Sequence, residues 1–489
     1  MSNLDPTTVF YPSERIVVLF VTLSCLPVSI FLLLANYFLL YLNVPWSDRR
    51  RISSTPGFRP RRILITGIDT PQGLRIARAF HETGHHVLGI GHQFGLLPIP
   101  ARLSFAVHEF HSLHFTPSTY VKDLVRIIAG RGLDLWIDCG HELDPATQVE
   151  ALSVIEQATP CSCFALRHHD ISHFKTKEHF LTYLHSLGFP TPETHRVNSR
   201  DEVHNLMNRA QRQRRYVLYN PEKTAVNTAQ GRTILPRSSL SQTYHTISQI
   251  PISQTSPFQL EQDFTELDRY KTCAIIVRGQ VKAFVATTRS KHGSLRLLDS
   301  NSSLTKSMVR FVQNIANKQS RDFDSHLCID FCAEERITPT GVEITILPID
   351  FSTSAHVSLL GFTGLQGSVQ LTNAYLAALD PAEEFDRLPS NAILFGPETP
   401  TRNSPKLPPN CTSIYNTCEL VGTLLYSIMN LILFRLYASE LAGIVVDTVT
   451  QMAHGSDDLY CFWDPAPFWW SYQIHTPLRG LANMLIAAE

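Results

Sequence analysis

One stretch of this chain is too apolar and too long for an ordinary surface helix. Residues Ile16 to Leu42 run for 27 positions without a charged side chain. A helix of about 20 apolar residues is enough to cross the hydrocarbon core of a bilayer. The stretch is also longer than the apolar part of a signal peptide. It therefore predicts a transmembrane anchor over residues 16–42, and a buried helical hairpin of a soluble protein is the alternative.

Basic residues lie mainly on one side of this stretch. Arg15 is the basic residue on the leading side. Positively charged side chains stay on the cytosolic side of a membrane segment. We therefore expect a single-pass membrane protein of the endoplasmic reticulum whose large C-terminal part faces the cytosol. The arginines that follow the stretch are Arg49, Arg50, Arg51, Arg59, Arg61 and Arg62.

Composition narrows the remaining classes. The content of 44% apolar and 17% charged residues is typical of a globular protein, and 489 residues allow about two to four domains. A net charge of -1 lacks the basic surplus of a nucleic-acid-binding protein. The ten cysteines lack the spacing of a disulfide scaffold or zinc finger, which favours a reducing compartment. Four histidines without accompanying ligands are interpreted as surface or loop residues: His168, His169, His173 and His179.

The pattern after the anchor predicts a small parallel α/β domain. Residues 43–60 are rich in proline and arginine and predict a linker. The apolar run Arg62 to Gly67 ends in a glycine turn, a helical pattern follows from Gly73, and His86 to Gly91 predicts a second strand. This β-α-β order indicates a parallel sheet, with the domain extending over residues 61–165.

A mixed α+β region is predicted over residues 166–380, followed by an extension over residues 381–489. The extension begins with many prolines and ends in an aromatic tail. Its apolar segment Val421 to Phe434 is too short to span a bilayer. We interpret this segment as a core or interface helix, and membrane contact is the alternative. In the mixed region we expect a helix at Lys175 to Leu187 and strands at Tyr216 to Tyr219, Thr272 to Val277, His326 to Phe331 and Val342 to Ile349.

The glycines also allow a dinucleotide-binding interpretation. Gly67 and Gly73 follow the first strand, and Tyr219 and Lys223 have the spacing at which a lysine lowers the pKa of a tyrosine on one helix face. Pro221 lies between them and would break such a helix. The glycine spacing matches the dinucleotide fingerprint only weakly. A membrane-anchored short-chain dehydrogenase is therefore a less favoured alternative.

Cations and carboxylates follow one another in an order that suits a nucleoside triphosphate. Lys177 and Glu261 lie upstream, and Asp330 and Asp350 lie on two neighbouring apolar runs. Magnesium prefers hard oxygen ligands, and phosphates attract cations. The order predicts a site for ATP and magnesium. Each residue taken alone is also compatible with a solvated surface charge, a strand-end cap or a turn aspartate.

Several segments from Arg61 to the tail resemble the ATP-grasp superfamily, in particular fungal ligases and the mycosporine-glycine-forming type. The order of the segments, more than any one of them, carries the resemblance. The segments are Arg62-Ile-Leu-Ile-Thr-Gly67, Ala77-Arg78-Ala-Phe80-His81, Phe174-Lys-Thr-Lys177, Leu187-Gly188-Phe-Pro190, Arg215-Tyr-Val-Leu-Tyr219, Cys328-Ile-Asp330-Phe331, Pro348-Ile-Asp350-Phe-Ser352 and Asp464-Pro465-Ala-Pro467-Phe468.

The resemblance implies an α/β protein with a pre-grasp domain, a two-lobed ATP-grasp domain and a C-terminal helical and aromatic extension. It implies an ATP- and Mg²⁺-dependent ligase that joins a small carboxylate to an amine, with amino acids expected, through an acyl phosphate in fungal secondary metabolism. Lys177 would neutralise the α- or β-phosphate, and Glu261, in a hinge between lobes, would accept from the adenine or ribose. Asp330, Asp350 and Ser352 would hold the magnesium.

The chain departs from the family pattern at three places. Tyr219 stands where a second phosphate-binding lysine is expected, Ser352 replaces an asparagine in the metal motif, and Arg269 replaces a glutamate near the hinge. Lys223 and Arg269 are the candidate catalytic cations that would supply the missing charge. A catalytically degraded relative that binds a metabolite or partner is therefore the second hypothesis.

Overall fold

The computed structural model divides the chain into two compact units. The first unit comprises Thr176–Tyr270 and Asp330–Asp350, and the second comprises the segments before, between and after them. The structure describes residues 12–43, 53–54, 56–93, 97–112, 117–140, 145–209, 214–220, 232–265, 267–289, 294–338, 341–379, 394–395, 413–432 and 435–486.

A five-stranded parallel sheet opens the second unit after the N-terminal helix. Its strands pair in the order β3-β2-β1-β4-β5, and every pairing is parallel. Parallel neighbouring strands need crossover connections. Three of these connections contain a helix: Pro71–Glu82, Pro117–Arg131 and Pro145–Ala158. The predicted parallel α/β region is thereby confirmed. The strands are β1 Arg62–Thr66, β2 His86–Gly91, β3 Glu109–Ser112, β4 Leu135–Asp138 and β5 Ser162–Phe164.

The turn after β1 requires a glycine at position 67. Gly67 has a φ of +71°, and a Cβ there would lie 2.6 Å from the backbone nitrogen of Gly140. Only glycine fits so close an approach at positive φ. The hydroxyl of Thr70 accepts a hydrogen bond of 3.1 Å from the Gly73 N–H, and Pro71 occupies the first helical turn. Capping and a fixed proline φ start the helix at this point.

Both faces of the parallel sheet are covered. Leu64 and Trp136 pack in one buried cluster with Tyr120 of helix Pro117–Arg131. Ile63 and Ile65 pack in a separate cluster. Side chains alternate along a strand, so β1 contributes to both cores. This two-sided burial accounts for its uninterrupted apolar sequence.

A small antiparallel sheet forms the centre of the first unit. Its order is β6-β9-β7-β8, and its described pairings are antiparallel. Leu218 and Leu260 pack with Val203 and Ile247, which come from helices Arg200–Arg209 and Leu240–Gln249. The helices therefore cover one face of this sheet. Its strands are β6 Thr194–Val197, β7 Tyr216–Tyr219, β8 Thr233–Leu235 and β9 Phe258–Gln262, and helix Lys177–Ser186 precedes them.

A third sheet has eight strands in the order β14-β13-β10-β11-β12-β16-β17, with β15 paired to β11. Parts of β10, β13 and β14 belong to the first unit, and the remaining strands belong to the second. Helices Ser303–Ala316 and Gly364–Leu376 accompany it. The strands are β10 Arg269–Val277, β11 Gln280–Arg289, β12 Leu295–Leu297, β13 Ser325–Thr338, β14 Gly341–Ser352, β15 Leu394–Phe395, β16 Ser413–Tyr415 and β17 Gly455–Asp457.

The N-terminal apolar stretch is one helix, Pro12–Asn43, in the second unit. Its part Ser24–Leu42 is long and apolar enough to cross a membrane, with a mean hydropathy of 2.0 and only 6% of its residues buried. Near the N-terminus, a signal sequence satisfies the same criteria. The C-terminal part of the unit adds helices Thr417–Ile432, Ala438–His454, Ala466–Trp470 and Thr476–Ile486.

A buried ion pair connects two motifs that are far apart in sequence. Arg78 of helix Pro71–Glu82 donates from Nε to Asp464 Oδ2 at 2.9 Å, and the two side chains are 5% and 0% exposed. Asp464 also accepts from the Ser104 hydroxyl at 2.5 Å and the Phe105 N–H at 3.0 Å. The aromatic tail is thereby joined to the parallel sheet domain within the second unit.

Candidate functional site

The register of the small sheet brings Glu261 and Tyr219 together. Leu260 of the central strand β9 points into the apolar core and is fully buried, so its neighbour Glu261 projects from the opposite face. Val217 of β7 lies opposite Glu261, and Tyr219 lies two residues further along on the same face. The Tyr219 hydroxyl donates to Glu261 Oε2 at 3.3 Å.

Lys177 reaches the same carboxylate from the adjoining helix. It is the first residue of helix Lys177–Ser186, where the Thr176 hydroxyl accepts a hydrogen bond of 3.4 Å from the His179 N–H. Lys177 Nζ donates to Glu261 Oε1 in an ion pair whose side chains are 30% and 14% exposed. Three of the predicted nucleotide-binding residues, Lys177, Tyr219 and Glu261, thus meet on one partly open face. Glu261, expected in a hinge, lies within strand β9.

The phenol of Tyr219 is held in its protonated form. Burial raises its pKa well above the ordinary value, and the negative charges of Glu261 and Glu178 raise it further, whereas Arg232 lowers it. Burial disfavours the charged phenolate, and a nearby carboxylate repels it. At neutral pH, Tyr219 is therefore a hydrogen-bond donor and carries no charge.

Arg232 adds a cation that the sequence analysis did not identify. Its guanidinium carbon lies 5.6 Å from the centre of the Tyr219 ring, which is within the range of a cation–π contact. Leu218 of β7 pairs with Thr233 of β8, so the residue before Thr233 falls beside Tyr219. The signal for this contact was the β7–β8 hairpin. The sequence suggested Lys223 or Arg269 as the substitute cation, whereas Arg232 reaches Tyr219 only through the pairing of β7 with β8.

The predicted metal carboxylates lie on neighbouring strands. Asp330 is half-buried on β13, and Asp350 is exposed on β14, which is next to β13 in the sheet. Cys332 lies two residues after Asp330 on the same strand. Burial raises the pKa of the Cys332 thiol to about 11, Arg269 lowers it, and Asp330 and Asp268 raise it. Arg269 and Asp330 thus act with opposite sign on the same buried thiol.

Two predicted site residues lie outside the described part of the first unit. Ser352 belongs to the second unit, where its hydroxyl accepts from the Ser354 N–H at 3.3 Å. Lys223 lies outside the described residues. Within the described part of the chain, no three His, Cys, Asp or Glu side chains are grouped closely enough to hold a metal ion.

Sequence comparisons give no match. No protein-family model matches the chain, and the search of curated proteins found no match either.

Structural comparison gives distant likenesses to ATP-grasp enzymes. The biotin carboxylase domain of a thermophilic 2-oxoglutarate carboxylase is 12% identical, with a TM-score of 0.46 over 68% of this chain and 72% of that one. N5-carboxyaminoimidazole ribonucleotide synthetase from Thermus thermophilus is 18% identical, with a TM-score of 0.42 over 65% and 77%. L-amino acid ligase from Bacillus licheniformis is 12% identical, with a TM-score of 0.39 over 65% and 75%. At these scores the likeness carries no argument about activity.

Proposed function

We propose that this chain is an ATP- and magnesium-dependent ligase of ATP-grasp architecture that joins a small carboxylate to an amine. The observation that supports this most is the polar face of the small sheet, where Lys177 and Tyr219 bond to Glu261 and Arg232 lies over the Tyr219 ring. Side chains of this kind suit a nucleotide, which has anionic phosphates at one end and hydrogen-bonding ribose and base groups at the other.

The donor set of this face fits a nucleoside triphosphate. The Lys177 ammonium group would bind the phosphates and neutralise part of their charge. Arg232 would add a second positive charge near them. Glu261 is already an acceptor for two donors, Lys177 and Tyr219. When Lys177 turns to a phosphate, Glu261 is left to accept from a ribose hydroxyl or the adenine amine. The protonated Tyr219 would hold the Glu261 carboxylate in place.

The carboxylates fit magnesium held jointly with phosphates. Magnesium usually binds through one or two carboxylates together with substrate phosphates and waters, so a preformed cluster of three protein ligands is not required. Asp330 and Asp350, which lie on adjacent strands, would supply hard oxygen ligands of this kind. Bound there, the ion would neutralise charge on the terminal phosphates.

The chemistry needs no nucleophile from the protein. The substrate carboxylate attacks the γ-phosphorus of ATP, the bond to the bridging oxygen breaks, and an acyl phosphate and ADP result. An amine then attacks the acyl carbon and expels phosphate, which gives an amide. The contribution of this chain is positioning and neutralisation of charge, which are the main sources of rate in phosphoryl transfer.

The finer parts of the proposal come from the resemblance of the sequence motifs. They are amino acids as substrates, a role in fungal secondary metabolism, and a membrane-anchored enzyme whose catalytic part faces the cytosol. The candidate span Ser24–Leu42 supports the anchor by its length and composition.

A second candidate function is favoured by one observation. Tyr219 occupies the position at which the family has a phosphate-binding lysine, and its hydroxyl is hydrogen-bonded to Glu261. An uncharged phenol cannot neutralise a phosphate. A protein with this substitution could bind a nucleotide or metabolite without turning it over, as the degraded-relative hypothesis states.

One experiment separates these candidates. ATP affinity of the full-length protein is measured with and without magnesium. Amino-acid pairs are then screened for phosphate release and, by mass spectrometry, for condensation products. We expect ATP binding that magnesium tightens, and condensation products in the screen. Binding without product or phosphate release favours the degraded relative. Absence of nucleotide binding contradicts the ligase and any nucleotide-binding form of the degraded relative.

Carboxylate variants test the metal assignment in the same assay. Asp330→Asn and Asp350→Asn should each abolish magnesium-dependent turnover, because each removes a full negative charge from the ion's surroundings. The matched control is Asp201→Asn, an exposed carboxylate on a helix of the same unit, which should behave as wild type. Unchanged phosphate release in both site variants would show that Asp330 and Asp350 have a structural role.

A further inference from the structure

The C-terminal extension carries a helical hairpin with an unusual surface. Helices Thr417–Ile432 and Ala438–His454 follow one another between strands β16 and β17, which pair with each other. None of the 17 residues of the second helix is buried. Most of the surface of this helix is therefore open to its surroundings.

The exposed apolar side chains of the second helix form one stripe. Val446 and Val449 are 62% and 59% exposed, and Val445 and Met452 are exposed beside them. Their spacing of three and four residues places them on one face of the helix. Glu440 and Asp447 are seven residues apart and lie on a different face. The helix is thus amphipathic, and its apolar face points away from the protein core.

The first helix continues this surface. Val421, Ile428 and Ile432 recur at intervals of seven and four residues and are exposed. Tyr426 and Tyr437 add exposed aromatic rings. Aromatic rings of this kind are enriched at the boundary between membrane and water. An apolar surface spread over two helices exceeds the isolated apolar side chains of an ordinary protein surface.

The N-terminal helix contacts the segment that follows the hairpin. The side chain of Asn36 donates from Nδ2 to the Tyr460 hydroxyl at 3.0 Å, and Trp469 Nε1 donates to the Ser29 hydroxyl at 3.2 Å. Asn36 and Ser29 both lie inside the candidate membrane span. Tyr460 and Trp469, which bond to them, must therefore lie at the membrane when the span is inserted.

The hairpin is close to these contacts along the chain. Its second helix ends at His454, and the six residues from there to Tyr460 extend over at most about 20 Å. Phe105, itself exposed, meets Tyr37 of the span with ring centres 6.0 Å apart. The end of the hairpin thus lies within about 20 Å of Tyr460, a side chain that contacts the span within the same unit.

We propose that the hairpin Thr417–His454 is a second membrane contact, lying in the surface of the bilayer that the N-terminal helix crosses. The apolar stripe with Val446 and Val449 enters the acyl chains, and the face with Glu440 and Asp447 stays in water. Helices of 16 and 17 residues are about 25 Å long, which is less than the hydrocarbon core of about 30 Å. The hairpin therefore lies along the surface and does not span.

The charges of the hairpin define the lipid that it needs. Glu419, Glu440 and Asp447 are acidic, and Arg435 is the basic residue among the described positions between β16 and β17, apart from His454. Anionic lipids would repel such a segment. Binding thus depends on apolar burial, and neutral phosphatidylcholine should suffice.

The test uses the full-length protein in phosphatidylcholine vesicles that carry a photoactivatable group in the acyl chain. Labelled peptides are mapped by mass spectrometry. We expect label in both helices of the hairpin, and no increase when anionic lipid is added. The matched control is helix Leu240–Gln249, whose Leu240 is 69% exposed but whose sequence is mostly polar. It should stay unlabelled.

A charge substitution completes the test. Val446→Glu with Val449→Glu should reduce the labelling of the hairpin by roughly tenfold, because carboxylates are strongly disfavoured in hydrocarbon. Labelling of the N-terminal span serves as the reference and should not change. An unlabelled hairpin in wild type would overturn the proposal, as would labelling that the glutamates leave unchanged. Self-association that the glutamates abolish, without lipid label, would instead assign the stripe to a second copy of the chain.

Discussion

Removal of the Asp464 carboxylate should destabilise the second unit far more than removal of an exposed charge. In Asp464→Ala, the guanidinium of Arg78 loses its Nε partner at 2.9 Å while its side chain stays only 5% exposed. The Ser104 hydroxyl and the Phe105 N–H lose their acceptor at the same time. A buried cation, the buried Ser104 hydroxyl and the partly buried Phe105 N–H are therefore left without this carboxylate.

The magnitude follows from this geometry. Removing one partner of a buried ion pair costs about 3–5 kcal/mol, because the remaining charge is buried without compensation. In a domain of about 150–250 residues or more, each kcal/mol lowers Tm by about 2 °C. We therefore expect Tm to fall by roughly 6–10 °C. Arg78 keeps two backbone acceptors, the Leu459 and Asp464 carbonyls, which favours the lower part of this range.

The assay is thermal unfolding of the full-length protein in one detergent, followed by circular dichroism. The matched control is Glu156→Gln, because Glu156 pairs with Arg167 at 2.9 Å with both side chains about one-third exposed. An exposed pair contributes about 0–1 kcal/mol, so the control should shift Tm by at most about 2 °C.

The double variant Arg78→Met with Asp464→Leu separates the charge from the packing. It removes both ions and keeps apolar volume, so it should cost less than the sum of the two single changes. The reasoning is refuted when Asp464→Ala and Glu156→Gln shift Tm equally.

Three further predictions concern topology, the site and pH. A glycosylation acceptor placed near residue 55 should stay unmodified in microsomes, as should the natural sequon at Asn410, because both are expected in the cytosol; modification of either would contradict the predicted orientation. Tyr219→Lys should tighten ATP binding by roughly fivefold or more, since a cation about 4 Å from a phosphate is worth at least about 1 kcal/mol; no change, together with weakened binding in Arg232→Ala, would show that Arg232 already supplies the charge. Burial raises the pKa of Asp138 to about 6, against the hydrogen bonds from Thr66 and Gly140 that lower it. A carboxyl whose pKa is raised in the folded state stabilises the fold at low pH, and this contribution is lost as pH rises from about 4 through 6. The free energy of unfolding in urea should therefore vary less with pH for Asp138→Asn than for wild type over this window, by up to about 3 kcal/mol. Identical pH profiles for the two proteins would refute this.

The sequence determined the features that depend on neighbours along the chain. The uncharged run in the N-terminal helix indicated a candidate span because hydrophobicity and length are properties of the composition itself. The first strand, the Gly67 turn and the helix that Thr70 caps were predictable because each signal lies within a few residues of the structure that it causes. The order of strands and helices then favoured a parallel sheet, which the structure confirms.

The candidate site was predictable only in part. The resemblance of motifs named Lys177, Tyr219 and Glu261 as members of one site. It did not indicate that Lys177 and Tyr219 share one carboxylate, or that Arg232 lies over the Tyr219 ring. The domain boundaries drawn from the sequence stay predictions.

Tertiary structure alone decided the contacts between distant segments. Arg78 and Asp464 are 386 residues apart, and nothing in either local sequence states that one will neutralise the other. The register of β7 against β9 and β8 likewise fixed which side chains share a face, because a shift by one residue would turn each of them to the other side. Local patterns specify helices and strands, whereas pairing of charges and strand register depend on which segments the folded core brings into contact.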